Sequence, residues 1–101
     1  MEKKLEDYRF FKKLSLNKKI EKILVFGSYA RNENTKSSDL DLAILAPKLT
    51  ESEFTKIYFY LNEEADTLTK IDLIHLDNLK NGVFKQNILR EGKVVYEQKS
   101  N

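Results

Sequence analysis

The sequence predicts an α/β fold in a single domain, and three observations carry that expectation. Apolar runs of strand length at 23–26 and 42–45 are continuous enough to be buried on both faces of a sheet. Segments with helically spaced apolar residues surround them, at 5–19, 50–65 and 79–88. At 101 residues the chain has room for one hydrophobic core and little beyond it, so the elements are read as one domain over 1–101.

From 5 to 19, Leu5, Tyr8, Phe11 and Leu14 form one apolar stripe among Lys and Glu, the pattern of a surface helix. Ile23, Leu24, Val25 and Phe26 follow as the first core strand, ended by Gly27. Residues 28–38 open on Ser28, carry a short helical turn at Tyr29-Ala30-Arg31, and continue as a polar loop. Between 39 and 45 the chain alternates Asp-Leu-Asp-Leu, then turns wholly apolar before Pro47, as a strand does that enters the core in its second half. Thr50 and Glu53 form a capping box, and Phe54, Ile57, Tyr58, Leu61 and Ala65 mark the buried face of a helix of about four turns. Residues 70–76 (KIDLIHL) make a third strand, with Asp72 and Ile74 on one side and Ile71, Leu73 and His75 on the other. Leu79, Val83, Phe84 and Ile88 predict a last helix stopped at C′ by Gly92. Val94-Val95-Tyr96 then predicts a short edge strand, and 97–101 a frayed tail.

Composition narrows the function. Lys and Arg exceed Asp and Glu by only two, 18 against 16, so no direct nucleic-acid binding is expected and any anion site has to be local. The absence of cysteine excludes disulfides, thiolate catalysis and Cys-based zinc sites together, and suits a reducing compartment. Met1-Glu2-Lys3-Lys4-Leu5-Glu6-Asp7 lacks the apolar run of a signal peptide, and no apolar run is long enough to span a bilayer. A soluble cytoplasmic protein without membrane association is therefore expected. With His75 as the only histidine, neither a Ser-His-Asp triad nor a His-rich zinc site has support, and His75 itself reads as packed rather than catalytic.

Chemistry concentrates between 23 and 45: an apolar strand, Gly27-Ser28, ten residues, Asp39-Leu40-Asp41, and another apolar strand. Gly27 has no side chain, so a phosphate can approach the backbone there, while Ser28 offers an amide and a hydroxyl at the start of a helical turn. Asp39 and Asp41, two apart on a strand, share one face with Cα atoms about 6.5–7 Å apart, and Leu40 and Leu42 point the other way into the core. Paired carboxylates are hard oxygen ligands suited to Mg²⁺, which leaves other coordination positions to water and substrate phosphates. Asp72 can complete the set, sharing a second metal and taking the proton of an attacking hydroxyl. Arg31 and Lys36 are candidate phosphate contacts, though spacing alone decides neither. Taken singly, Asp-x-Asp at a strand start is usually a solvated strand end and Gly-Ser usually a turn; their joint spacing between two buried strands is what points to a site.

Gly-Ser, ten residues and Asp-x-Asp resemble the signature of the polymerase-beta-type nucleotidyltransferase superfamily, and G-S-Y-A-R with S-D-L-D-L-A-I-L is similar to its minimal, MNT-type branch. The strand bearing Asp72 and the closing E-G-K-V-V-Y also match in order, so the resemblance covers nearly the whole chain. It implies a small mixed sheet with helices packed against it, Mg²⁺ as cofactor, ATP or another nucleoside triphosphate as substrate, and transfer of a nucleoside monophosphate to a hydroxyl. It further implies that Asp39, Asp41 and Asp72 are the catalytic and metal residues, Asp72 by order and strand context, and that Gly27 and Ser28 hold the nucleotide; Arg31, one turn after Ser28, is the candidate nucleotide contact beside them. Larger relatives add a helical domain for the acceptor, and none is expected here. Members of the minimal branch act as antitoxins that add AMP to a tyrosine of a HEPN-family toxin, so a hetero-oligomer with such a toxin is expected. Two alternatives stay open: an antitoxin that neutralises its partner by occlusion alone, and, less favoured, a transferase acting on a small hydroxylated molecule.

Overall fold

The computed structural model describes residues 3–99. A four-stranded sheet in the order β3-β2-β1-β4 is built from β1 (Lys22–Phe26), β2 (Leu40–Leu45), β3 (Ile71–His75) and β4 (Lys93–Glu97). β1 pairs antiparallel with β2 and β4, whereas β2 and β3 run parallel, so the sheet is mixed as expected. Helices α1 (Arg9–Leu16) and α2 (Glu51–Glu63) cover one face, and α3 (Gly82–Glu91) covers part of the other. The layers follow from side-chain alternation along the strands. Ile23, Val25, Leu40, Leu42, Ile44, Ile71 and Leu73 join Phe10, Phe11, Leu14 and Leu61 in the larger core cluster. Leu24 and Ala43 face the other way and meet Leu76 and Ile88, with Phe26, Leu45, Ile74 and Leu79 packed around them. No helix among the described residues is long and apolar enough to cross a membrane.

Several local features differ from the sequence reading, each for a physical reason. The expected helix over 5–19 is divided: a 3-10 turn at Leu5–Asp7 precedes Tyr8, which is extended (φ −80°, ψ 140°), and α1 begins only at Arg9. Its first amides are satisfied from far along the chain, Arg9 N–H donating to Asp66 Oδ2 (2.9 Å) and Phe10 N–H to Asp66 Oδ1 (3.0 Å). At its other end α1 stops at Asn17, whose side chain accepts from the Lys19 amide (3.0 Å). Phe10, outside the expected stripe, is fully buried.

The capping box of α2 is present: Glu53 N–H donates to Thr50 Oγ1 (3.1 Å) and Thr50 N–H to Glu53 Oε1 (2.9 Å). Tyr58, assigned to the buried face, is exposed, and Tyr60 packs instead. On α3 the expected stripe is likewise narrower, because Val83 and Phe84 are exposed and only Ile88 is buried. Gly92 is the C-cap of α3 but not a left-handed C′ residue, since its φ is −68°. Space explains the glycine: a Cβ would stand 2.5 Å from the Ile88 carbonyl oxygen and 3.2 Å from Leu24 Cδ2. The expected edge strand forms, and part of the supposed tail is tied down. Glu97 ends β4, and Gln98 donates from its amide to Glu21 O and from Nε2 to Lys18 O, both at 2.8 Å. The last two residues, 100 and 101, lie outside the described part.

Candidate active site

The C-terminal end of β1 and the N-terminal ends of β2 and β3 meet at one end of the sheet, because β1 runs against β2 and β2 runs with β3. In register across three strands stand Phe26, Asp41 and Asp72, partners at the same level of the sheet and on the face that α3 partly covers. Asp39 lies one residue before β2, held there as Leu40 N–H donates to Lys70 O (2.9 Å). Asp39 and Asp41 are expected on one face from their spacing, and the parallel pairing adds Asp72 directly beside Asp41.

Gly27 is explained twice over. Its φ of +71° lies in the left-handed region, and a Cβ built there would collide with Asp41 Oδ2 and stand 3.2 Å from Asp41 Cγ. The missing side chain therefore makes room for the Asp41 carboxylate, a role beyond the phosphate approach read from sequence. After Gly27 the chain makes a single helical turn, as expected, and does not continue into a helix. Arg31 N–H donates to Gly27 O (3.2 Å), Glu33 N–H to Ser28 O (2.9 Å), and Asn32 closes the run with φ +58°. The loop leading to Asp39 is held by its hydroxyls: Thr35 N–H donates to Ser38 Oγ (2.8 Å) and Ser38 N–H to Thr35 O (3.1 Å).

Partial burial pushes the Asp41 pKa above the ordinary carboxylate value, the negative charges of Asp72 and Asp39 push it further, and Arg31 partly opposes them. The acids thus form a mutually repelling set open to solvent on one side. Lys70 Nζ stands 3.9 Å from Asp72 Oδ1, and Asp72 is 38% exposed. Among the described residues, no three Asp, Glu or His side chains close around one point as a ready-made metal cage. A pair of hard carboxylates with a third beside it suits a cation whose remaining positions belong to water and phosphate.

Arg31 reaches the acids by charge and is itself ion-paired, Nε to Glu33 Oε2 (3.1 Å) and Nη1 to Glu91 Oε2 (3.9 Å). Lys36 is placed elsewhere. It lines a cleft of about 770 Å³ with Lys3, Tyr8 and residues 65–69, and that cleft contains none of Asp39, Asp41 and Asp72. His75 is structural, as expected: Nε2 pairs with Ala46 O (2.8 Å), Nδ1 with Asn78 Nδ2 (3.1 Å), and the ring stacks on Phe54. Glu91, Phe26 and Phe84 were not legible as site neighbours. Phe26 immediately precedes Gly27 and packs edge-on against Phe84, whereas nothing local in the sequence links Glu91 to Arg31.

A model of the family described as "Polymerase beta, Nucleotidyltransferase" matches residues 10–101. The chain belongs to this family. Its enzyme class is accordingly nucleotidyltransferase, as the sequence led one to expect. Two chains of Methanocaldococcus jannaschii, each named "putative protein adenylyltransferase", are similar to it. MJ0126 is 33% identical over 84% of this chain and 84% of its own length, and MJ0128 is 37% identical over 77% and 76%. Solved structures agree in fold. A crystal structure of a toxin-antitoxin with AMP-PNP superposes with a TM-score of 0.65 at 26% identity, covering 80% of this chain and 64% of that one. A structure of the toxin-antitoxin MntA-HpeT carrying the substitution Y104A gives 0.64 at 25%, covering 90% and 69%. The present chain thus spans just under two thirds of the first of these structures.

Proposed function

We propose that this chain transfers AMP from ATP to a hydroxyl of a partner protein, with Mg²⁺ as cofactor, and that the partner is the toxin of a toxin-antitoxin pair, of HEPN type. The observation that carries the proposal is the Asp41–Asp72 register on one sheet face, with Gly27 packed against the Asp41 carboxylate and Asp39 two residues before it. The relatives named as adenylyltransferases, the neighbour solved with AMP-PNP, and the toxin-antitoxin neighbours support the substrate and the partner class.

In this reading Asp39 and Asp41 hold the metal, with Asp72 as the third ligand. Bound there, Mg²⁺ would neutralise triphosphate charge and lower the pKa of the acceptor hydroxyl. The chain's own groups do the rest. Gly27 and Ser28 present backbone amides and a hydroxyl to the phosphates, and Arg31 adds a cation beside Asp41. Asp72 accepts the hydroxyl proton as the acceptor oxygen bonds to the α-phosphorus. The bond from that phosphorus to the bridging oxygen breaks, and pyrophosphate leaves. The raised pKa of Asp41 fits a group whose ionised form awaits a cation.

The test is incubation of the chain with α-labelled ATP, Mg²⁺ and the partner protein. Label should appear on the partner and disappear with Asp39→Ala or Asp41→Ala, a loss of at least about 100-fold given the electrostatic role assigned to the acids. Undiminished labelling in both variants would remove the mechanism. Full inhibition of the toxin by both variants without labelling would favour occlusion instead.

A further inference from the structure

We infer that Glu91 is a positioning residue: from the end of α3 it holds the Arg31 guanidinium in place to meet the triphosphate, and so sets nucleotide affinity. This rests on the proposed role of Arg31 in binding phosphate.

The contact joins distant parts of the chain. Arg31 ends the first turn after Gly27, its own amide bonded to the Gly27 carbonyl (3.2 Å), so its Cα is placed by the same turn that presents Ser28. Its side chain is 47% exposed and would be free to sample many rotamers if nothing held it. Two carboxylates flank it, Glu33 at Nε and Glu91 at Nη1. Neither pairing uses Nη2, which leaves that corner of the guanidinium for a phosphate oxygen. Glu33 belongs to the same exposed loop as Arg31, two residues along the chain, and so brings no anchor from elsewhere in the fold. Glu91 stands on firmer ground: Ile88, one turn earlier, is 2% exposed, and Gly92, next in the chain, donates to the Ile88 carbonyl (2.7 Å) where a Cβ would not fit.

Helix stability does not account for a glutamate here. A negative charge in the last turn opposes the helix dipole, and although Glu91 Oε1 also stands 3.6 Å from Arg90 Nη2, that exposed neighbour pair is screened by solvent and leaves Oε2 to Arg31. Nor is the pair strong enough to compete for the ligand, since half-exposed ion pairs are screened by solvent. What it supplies is preorganisation of the arginine before the triphosphate arrives.

The test measures ATP affinity and transfer kinetics for Glu91→Gln, Glu91→Asp, Arg31→Ala and the double variant Arg31→Ala/Glu91→Gln, with melting temperature as a check on folding. Glu91→Gln should raise Kd and KM for ATP about two- to fivefold with kcat little changed, the range that a screened ion pair allows. Glu91→Asp should recover part of the loss. In the Arg31→Ala background the Glu91→Gln effect should vanish, because the coupling has lost its other member. A Glu91→Gln protein that folds and binds ATP as well as the parent, or better, overturns the inference while leaving the role of Arg31 intact. An Arg31→Ala protein with undiminished ATP affinity overturns both. Equal effects of Glu91→Gln with and without Arg31 would reduce Glu91 to a structural residue and overturn the inference alone.

Discussion

Asp41 lies half-covered between Asp39 and Asp72, and its ionised form is disfavoured in the folded chain by burial first and by those two charges next. The sign for stability follows. A carboxylate with a raised folded-state pKa contributes stability that is fully present below its ordinary value of 3.8 and is lost as pH rises through the raised value. At pH 7, without metal, the fold therefore carries the full cost of that charge. Asp41→Asn should raise the melting temperature of the metal-free protein at pH 7 by about 2–4 °C, a modest shift because solvent screens a partly exposed group. The gain should shrink as the scan is repeated toward pH 3.5, while transfer is lost at every pH; a variant less stable than the parent at pH 7 would contradict this account. Gly27→Ala tests the same carboxylate from the other side. The left-handed φ and the collision with Asp41 Oδ2 together predict about 2–4 kcal/mol of destabilisation in urea titrations, with transfer lost. At this scale the candidate site could be read where spacing is local. Gly27, Ser28, Asp39 and Asp41 lie within fifteen residues of one another, whereas the neighbours Phe84 and Glu91 arrive only through the packing of α3.

The elements divide in the same way. β1 and β2 could be read directly, since the apolar runs at 23–26 and 42–45 are of strand length and supply their buried residues. Asp72 was placed on the correct side of β3, but its position opposite Asp41 depends on parallel pairing, which no residue of β3 announces. The start of α1 was not legible, because its capping group is fifty-six residues away from Phe10 in sequence. Asp66 performs at long range what Thr50 performs locally for α2. Burial alone would raise the Asp66 pKa, but the amides of Arg9 and Phe10 outweigh that and lower it. Its contribution is thus present above the ordinary carboxylate range and lost as pH falls, the opposite sign to Asp41. Asp66→Ala should cost about 0.5–2 kcal/mol and accelerate amide exchange at Arg9 and Phe10 selectively. Unchanged exchange at those two amides would show that the cap does not hold the helix. Glu53 adds a second acid-sensitive tie. Its pKa is lowered from 4.5 to about 2 by the hydrogen bond from Lys19 and by those from Thr50, so what it contributes is present above 4.5 and is lost as the pH falls from there toward about 2.

For the molecule as a whole, the two core clusters are unequal. The α1 and α2 side of the sheet is filled by most of the large apolar residues, while the α3 side holds a small cluster and leaves its end to the acids. Global stability therefore resides mainly on one face and the proposed chemistry on the other, which lets the acid end bear repulsion without opening the larger core. Ligand binding should act as a thermodynamic brace on the weaker face. Mg²⁺ alone meets carboxylates but no phosphate, and ATP alone brings a polyanion toward Asp39, Asp41 and Asp72, so neither by itself should bind tightly. Together each neutralises what repels the other. At ligand concentrations about 100-fold above the dissociation constant, linkage predicts about 2.7 kcal/mol of added stability, which for a domain of this size is a rise of about 10–20 °C in melting temperature. The shift should require both components, collapse on addition of EDTA, and be absent in Asp41→Asn although that variant starts from the higher baseline. A full shift with ATP in EDTA would place the nucleotide away from the carboxylates and remove the metal from the proposal. A shift retained by Asp41→Asn would leave the register of Asp41 and Asp72 without the role assigned to it.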